Sequence, residues 1–365
     1  MLKGMEKIIK QCVGIDCSKD ELALCFGQLG LPLEERHKAT GVFSNSPKGF
    51  KQLLKWSDKL SEQGIAVDFV IEATGVYHES VTHFLFDKGR KISVVLPNHA
   101  RHFAQTLKVR TVNDKESSKM LASYGLQKQL DGWQKPDPVY AQLKGLTREH
   151  LQLKDELTVI KNQEHAEKHS AFPIKESLKR MKQRIAFLEK QIKQIECDID
   201  LIIAFHPVLQ KKLKKICTTP GLGIMTVVKV IGETNGFNLI RNTKQLVAFA
   251  GYDVVTKDSG TSVHGKPHIS GKGNKHIRKA MHFPALTSVK FDKNNRDLYE
   301  RIEAKTGIKM KGYTAVQRKL LVLIYVLWKK DEEFDPNYQA KKSNQNKLLE
   351  QPIMAALTEL DQVCS

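Results

Sequence analysis

The sequence predicts an α/β amino-terminal domain with a mixed sheet, a long helical coiled coil, and a mainly α-helical carboxy-terminal domain with a helix-hairpin-helix-like element. Three observations predict this. Residues 8–44 alternate apolar and polar in three runs, after which strand and helix patterns alternate. Between Val139 and Ile202, apolar residues recur at spacings of three and four. The last third opens on Gly221-Leu222-Gly223 and sets a run of glycine, lysine and histidine among helical patterns. The expected boundaries are 1–130, 131–208 and 209–335, with 336–365 a polar, flexible tail.

Taken in order, 8–16, 21–29 and 33–43 read as the strands of a meander, 50–60 as a helix, 66–73 as a buried strand, 79–88 as a helix and 91–96 as another strand. Asp114 opens a helix running through Met120 to Tyr124. Val139, Leu143, Leu146, Leu153, Leu157 and Ile160 form one apolar seam, with polar His150 in it. Ile174, Leu178, Met181, Ile185, Leu188, Ile192, Ile195, Ile199 and Ile202 form a second, and the break at Phe172-Pro173 predicts two helices folding back on each other. Such a hairpin serves equally as a self-contained arm or as a subunit contact. A helix over 224–231 follows the Gly-x-Gly turn, and helices over 275–289, 296–306 and 314–328 close the domain.

Lys plus Arg number 59 against 40 Asp plus Glu, a formal charge of +19 over 365 residues, so a polyanionic partner is expected. The six cysteines show no C-x-x-C pair, which argues against a zinc site and for reduced thiols in a cytoplasmic protein. Neither a signal peptide nor an apolar stretch long enough to span a bilayer is expected, so no membrane partner is.

Candidate chemistry gathers on short signatures. Asp16 and Glu72 end apolar, β-rich runs, where a sheet delivers side chains into the crevice beyond its strand ends, and Asp114 at a helix start can face the same crevice. Carboxylates brought together there are hard ligands for Mg²⁺ or Mn²⁺. Ser259 lies in a Gly-rich stretch crowded with Lys and His, the surroundings of a nucleophile acting on phosphodiesters. Lys257, Lys266, Lys272, Lys275 and Arg278 are placed to follow a phosphate backbone, and Gly221 and Gly223 to offer amides to one, unless they form an ordinary tight turn. His264, His268 and His276 read as phosphate or structural contacts rather than general acids. Lys161, Lys168, Lys175, Lys179, Arg180, Lys182 and Arg184 on the coiled coil form a solvated face or a phosphate track.

Gly14-Ile15-Asp16, Ile71-Glu72-Ala73-Thr74-Gly75-Val76-Tyr77, Asp114 with Lys119-Met120-Leu121-Ala122, Pro220-Gly221-Leu222-Gly223, Ala248-Phe249-Ala250-Gly251, and Ser259-Gly260 followed by Ile269-Ser270-Gly271-Lys272-Gly273-Asn274 occur in that order. In this the chain resembles the IS-one-ten (IS110) family of transposases, also called Piv/MooV-like or DEDD transposases, over about residues 10 to 330. The resemblance implies an RNase H-like (RuvC-like) first domain, a coiled-coil middle and a transposase domain. It also implies recombination of double-stranded DNA directed by a structured bridge RNA, through a phosphoserine intermediate, in a dimer or tetramer associated with the nucleoid. Asp16, Glu72 and Asp114 correspond to three of the family's four metal-binding acids, and Ser259 to its catalytic serine, shared between subunits. The fourth acid should lie three residues after Asp114, where this chain has Ser117; Glu116 is next to it but about 100° away around a helix. Two rival classes are a metal-only nuclease of the junction-resolvase type, with Ser259 structural, and an inactive nucleic-acid scaffold.

Overall fold

A computed structural model describes residues 7–107, 113–238, 240–256, 258–259, 263–265 and 267–338. The chain divides into two units, Met1–Lys135 and Pro136–Ser365.

In the first unit, strands β1 (Ile8–Cys17), β2 (Glu21–Gly30) and β3 (Glu34–Ser44) form the antiparallel meander, while β4 (Val67–Glu72) and β5 (Lys91–Val95) add in parallel on the other side of β1. The resulting sheet has the order β3-β2-β1-β4-β5. Parallel addition needs crossovers, which α1 (Pro47–Leu60) and α2 (Glu79–Asp87) provide. Ser46 caps α1 by accepting from the Gly49 amide, and Pro47 occupies its first turn.

The period-two pattern of the central strands sorts their side chains onto two faces. Val13 and Ile15 on β1 and Phe69 and Ile71 on β4 bury with Phe50, Leu53, Val81 and Leu85 of α1 and α2. Cys12 and Val70 face the other way, onto Ala100 and Phe103 of α3 (Pro97–Thr106) and Met120 and Leu121 of α4 (Asp114–Gln127). The sequence reading has no counterpart of α3. Its stretch is short and mostly polar, and it is its two buried side chains that seat it on the sheet. The residues between α3 and α4, 108–112, lie outside the described ones.

In the second unit, α5 (Pro138–Lys168) and α6 (Lys175–Ala204) pack against each other along the two apolar seams. Leu157, Ile160, Leu188 and Ile192 form one cluster, and His150 Nε2 meets Glu196 at 2.9 Å across the seam. Nearer the open end, Leu143, Ile195, Ile199 and Ile203 share a core with the helices that follow, so the buried stripe on α6 ends on Ile203 rather than Ile202. Those helices are α7 (Pro207–Ile216), α8 (Ile224–Glu233), α9 (Thr243–Ala250), α10 (Lys275–Phe291), α11 (Lys293–Thr306) and α12 (Lys309–Lys330). Helices α7 and α9 were not legible as separate patterns.

The glycine-rich stretch contains two short ladders. β6 (Val254–Val255) pairs with β9 (His268–Ile269), and β7 (Asp258–Ser259) with β8 (Val263–His264). No described helix is long and apolar enough to cross a membrane. The expected tail lies outside the described residues beyond Tyr338.

Candidate functional site

The acids of the first unit are brought together by register and by close packing. Ile15 pairs with Ile71 in the parallel β1/β4 ladder, so Asp16 and Glu72 stand one step further on, at neighbouring strand ends. Both continue the face that carries Cys12 and Val70, the one covered by α4. Two glycines let α4 ride directly on the sheet. A Cβ on Gly14 would come within 2.2 Å of the Ala122 amide nitrogen and the Ser118 carbonyl, and one on Gly125 within 2.2 Å of Cys12 Sγ. Helix α4 therefore runs antiparallel to β1, and its amino end arrives beside Asp16. That end is fixed by Asn113, whose side chain accepts from the Glu116 amide at 2.8 Å.

Asp16 is the centre of the cluster. Burial raises its pKa, the Asp114 charge raises it further, and hydrogen bonds from the Ser117 hydroxyl and the Cys17 amide oppose this. Burial and then the Asp16 charge likewise raise Glu72, which accepts from the Thr74 hydroxyl at 3.4 Å. Asp16 thus interacts with Glu72 on one side and Asp114 on the other. Glu116 pairs instead with Lys119 at 2.7 Å, so of the two candidates for the fourth position it is Ser117 that touches Asp16.

This donor set suits a divalent cation in a particular way. Asp16 and Glu72, whose proton affinity is raised by burial and then by a neighbouring carboxylate, carry negative charge that a cation would neutralise. Among the described residues, however, no three His, Cys, Asp or Glu side chains converge tightly enough to enclose one ion. Such a site fits Mg²⁺, which is commonly held by one or two carboxylates, with water and substrate phosphate completing its shell.

The second candidate centre lies between α9 and α10. Ser259 belongs to β7, and its backbone pairs with Val263. The base of this excursion is tightly built. The Ser270 amide donates to Asp253 O at 2.8 Å, the Gly271 amide to Gly251 O at 3.2 Å, and the Asn274 amide to Phe249 O at 2.8 Å. A Cβ on Gly273 would lie 2.4 Å from the Gly251 nitrogen, so the glycine there serves backbone-to-backbone contact. Lys272 and Lys275 are exposed. Arg278 is partly engaged within the protein, donating from Nη1 to Ala250 O at 2.8 Å. Lys257 and Lys266 lie outside the described residues. Burial lowers the pKa of His276, favouring a neutral ring near pH 7.

The two glycines of the earlier turn differ. Gly221, at φ 90°, faces α10: a Cβ there would meet Pro284 O at 2.7 Å. Gly223 is exposed and has open space where a Cβ would be. The sequence reading also missed Glu233. It is buried, and it accepts two hydrogen bonds from Arg148 and one from Asn274. The available signal was an acidic residue closing helix α8, which is apolar but for Thr226 and Lys229.

Residues 13–173 match a family model described as a transposase, of the DEDD type of IS110, and residues 213–300 match one described as transposase IS116/IS110/IS902 family. Two relatives align over nearly their whole length. The pilin gene-inverting protein of Moraxella bovis is 26% identical over 331 residues, 89% of this chain and 98% of that protein. Its Moraxella lacunata counterpart is 27% identical over 334 residues, with the same coverage. Among solved structures, Thermus thermophilus RuvC aligns loosely, at TM-score 0.26 and 12% identity, over 34% of this chain and 99% of that one.

Proposed function

The chain belongs to the IS110 family of transposases, and on that premise we propose that it cuts and exchanges strands of double-stranded DNA through a phosphoserine intermediate on Ser259, assisted by a divalent metal and guided by a bridge RNA. The observation that carries the reading is the placement of Asp16 between Glu72 and Asp114 at the end of a mixed sheet, where carboxylates have no other evident purpose. The sheet order β3-β2-β1-β4-β5 supports the RNase H-like assignment of this unit. The names of the Moraxella relatives, which invert a pilin gene, favour recombination over simple cutting.

In this reading Asp16 would hold Mg²⁺ or Mn²⁺ together with Glu72 on one side or Asp114 on the other, one or two carboxylates to an ion with water and phosphate completing its shell, and Ser117 would orient Asp16 through its hydroxyl. When bound, the ion neutralises charge developing on the phosphoryl oxygens. Ser259 Oγ forms a bond to phosphorus as one P–O bond of the strand breaks, and the ester retains the bond energy needed for rejoining. Exposed Lys272 and Lys275 draw the backbone toward that segment. Gly223 offers an open amide turn, while Gly221 and Arg278 hold the framework. The hairpin of α5 and α6 acts as the subunit contact of a dimer or tetramer.

The test is to trap the complex on supercoiled DNA carrying the element's own ends, with its RNA, and locate the linkage by mass spectrometry. A DNA phosphate on Ser259, absent in Ser259→Ala but retained in Ser262→Ala, is expected. Free ends without an adduct, with Ser259→Ala still active, would establish the metal-only nuclease instead.

A further inference from the structure

Glu233 has no place in the chemistry above, yet it sits where three parts of the second unit meet. It is the last residue of α8, and its side chain is 2% exposed. Arg148, on α5 of the hairpin, grips it in the two-pronged fashion of a guanidinium on a carboxylate, Nε to Oε1 at 2.6 Å and Nη2 to Oε2 at 2.9 Å. From the other side Asn274 Nδ2 donates to Oε2 at 2.7 Å. The other end of the same amide, Asn274 Oδ1, caps α10 by accepting from the His276 and Ile277 amides at 2.9 and 3.1 Å. Helices α8 and α5 are in close contact here, since a Cβ on Gly232 would lie 3.0 Å from the Lys144 nitrogen.

Asn274 is also the residue at which the glycine-rich segment ends. Its amide is tied to Phe249 O, and the β6/β9 ladder closes the base of the excursion that includes Ser259. A carboxylate that is buried and fully bonded is costly to disturb, because removing one partner leaves a charge without compensation. Burial alone would raise its pKa, but the Arg148 and Asn274 bonds outweigh this and keep it below the ordinary glutamate value, hence charged.

We propose that Glu233 is a positioning residue for strand cleavage: it fixes Asn274, and with it the base of the Ser259 segment, to the first helix of the α5/α6 hairpin. The inference rests on the reading of Ser259 as nucleophile for its consequence in catalysis, but not for the clamp itself. It makes the hairpin and the serine segment one mechanical unit, so that a contact made by the hairpin is felt at the segment's base.

Glu233→Gln removes the charge that Arg148 grips. Asn274→Ser is the gentler variant: serine still caps the helix, but it cannot reach Glu233. Two quantities are to be measured on the full chain for both variants: amide hydrogen exchange over residues 268–277, and the single-turnover cleavage rate on saturating supercoiled plasmid carrying the element's ends with its RNA. Faster exchange confined to that stretch, a cleavage rate lower by about ten- to a hundredfold, and DNA half-saturation changed less than about twofold are expected. Unchanged exchange in Asn274→Ser would refute the clamp. Faster exchange with an unchanged cleavage rate would refute the positioning role. Ser259→Ala measured in parallel separates the two readings: if it still cleaves while Asn274→Ser exchanges faster, the serine assignment fails, and with it the role in cleavage, while the clamp stands.

Discussion

Two carboxylates and a hydroxyl address Asp16 at once. Asp16→Ala or Asp114→Ala should abolish recombination while leaving nucleic-acid binding largely intact, as acids contribute little attraction to phosphates. Recombination by either variant at the wild-type rate in Mg²⁺ would overturn the metal-site assignment. Ser117→Asp exchanges a hydrogen-bond donor for a further negative charge. It should melt lower than the wild type in chelator, because the added carboxylate meets Asp16 with no cation between them. It should also need less Mg²⁺ for half-maximal activity, and an unchanged requirement would mean that water or DNA already supplies that oxygen.

Glu35 provides a test independent of function. The His37 ring, Gln127 and the Ser123 hydroxyl all hydrogen-bond to it and hold its pKa at about 2, against 4.5 unperturbed. A depressed carboxylate stabilises the fold fully above its unfolded value and loses that contribution as pH falls toward the folded one. Wild type should therefore lose about 2 kcal/mol of stability between roughly pH 4.5 and 2 that Glu35→Gln never had. Urea melts of both at several pH values measure this; parallel curves would show that the cluster contributes nothing.

At the scale of elements, the contact of α4 with β1 decides whether the acids meet. Gly14→Ala places a methyl 2.2 Å from helix backbone that cannot move without lifting α4 from the sheet. Overpacking of this kind costs about 1–3 kcal/mol. The variant should show both a lower melting temperature and a weaker Mg²⁺-induced rise in it, because Asp114 and Ser117 shift relative to Asp16. A loss of stability with an undiminished Mg²⁺ response would separate the packing from the site. In the hairpin, the polar seam residue His150 bonds Glu196 through Nε2, while its buried Nδ1 has no partner. A buried histidine tied to a partner on the facing helix favours one register of two helices that apolar residues alone would allow to slip.

The whole molecule carries +19, and part of that charge is exposed along α6 at Lys175, Lys179, Arg180, Lys182 and Arg184. If these residues follow phosphates, Lys179→Glu combined with Lys182→Glu should weaken DNA or RNA binding uniformly across sequences. It should also flatten the dependence of log K on log salt by about one unit per lost contact, without changing the melting temperature. Unaltered affinity and slope would leave this face merely solvated.

What the sequence determined by itself was whatever depends on neighbours in the chain. Alternating runs yielded the three strands of the meander and short β-rich runs the other two, all within a residue or two; the apolar stripes of α5 and α6 announced the hairpin, and Asp16 and Glu72 were legible because each ends an apolar, β-rich run. What only the tertiary structure decided depends on contacts between distant segments. Gly14, Gly125 and Gly273 look like flexible residues in the sequence, and their real constraint, a helix or a second turn lying where a Cβ would be, exists only in three dimensions. Along the chain Ser117 held the expected position without a charge and Glu116 a charge one residue away from it; the fold turned the serine toward Asp16 and paired the glutamate with Lys119. Glu233 drew no notice beside its apolar neighbours, because the partners that explain a buried charge, Arg148 and Asn274, lie 85 and 41 residues away. Burial raises the energy of an unpaired charge far above what local pattern can express, so the chain that places the charge must supply its partners from elsewhere.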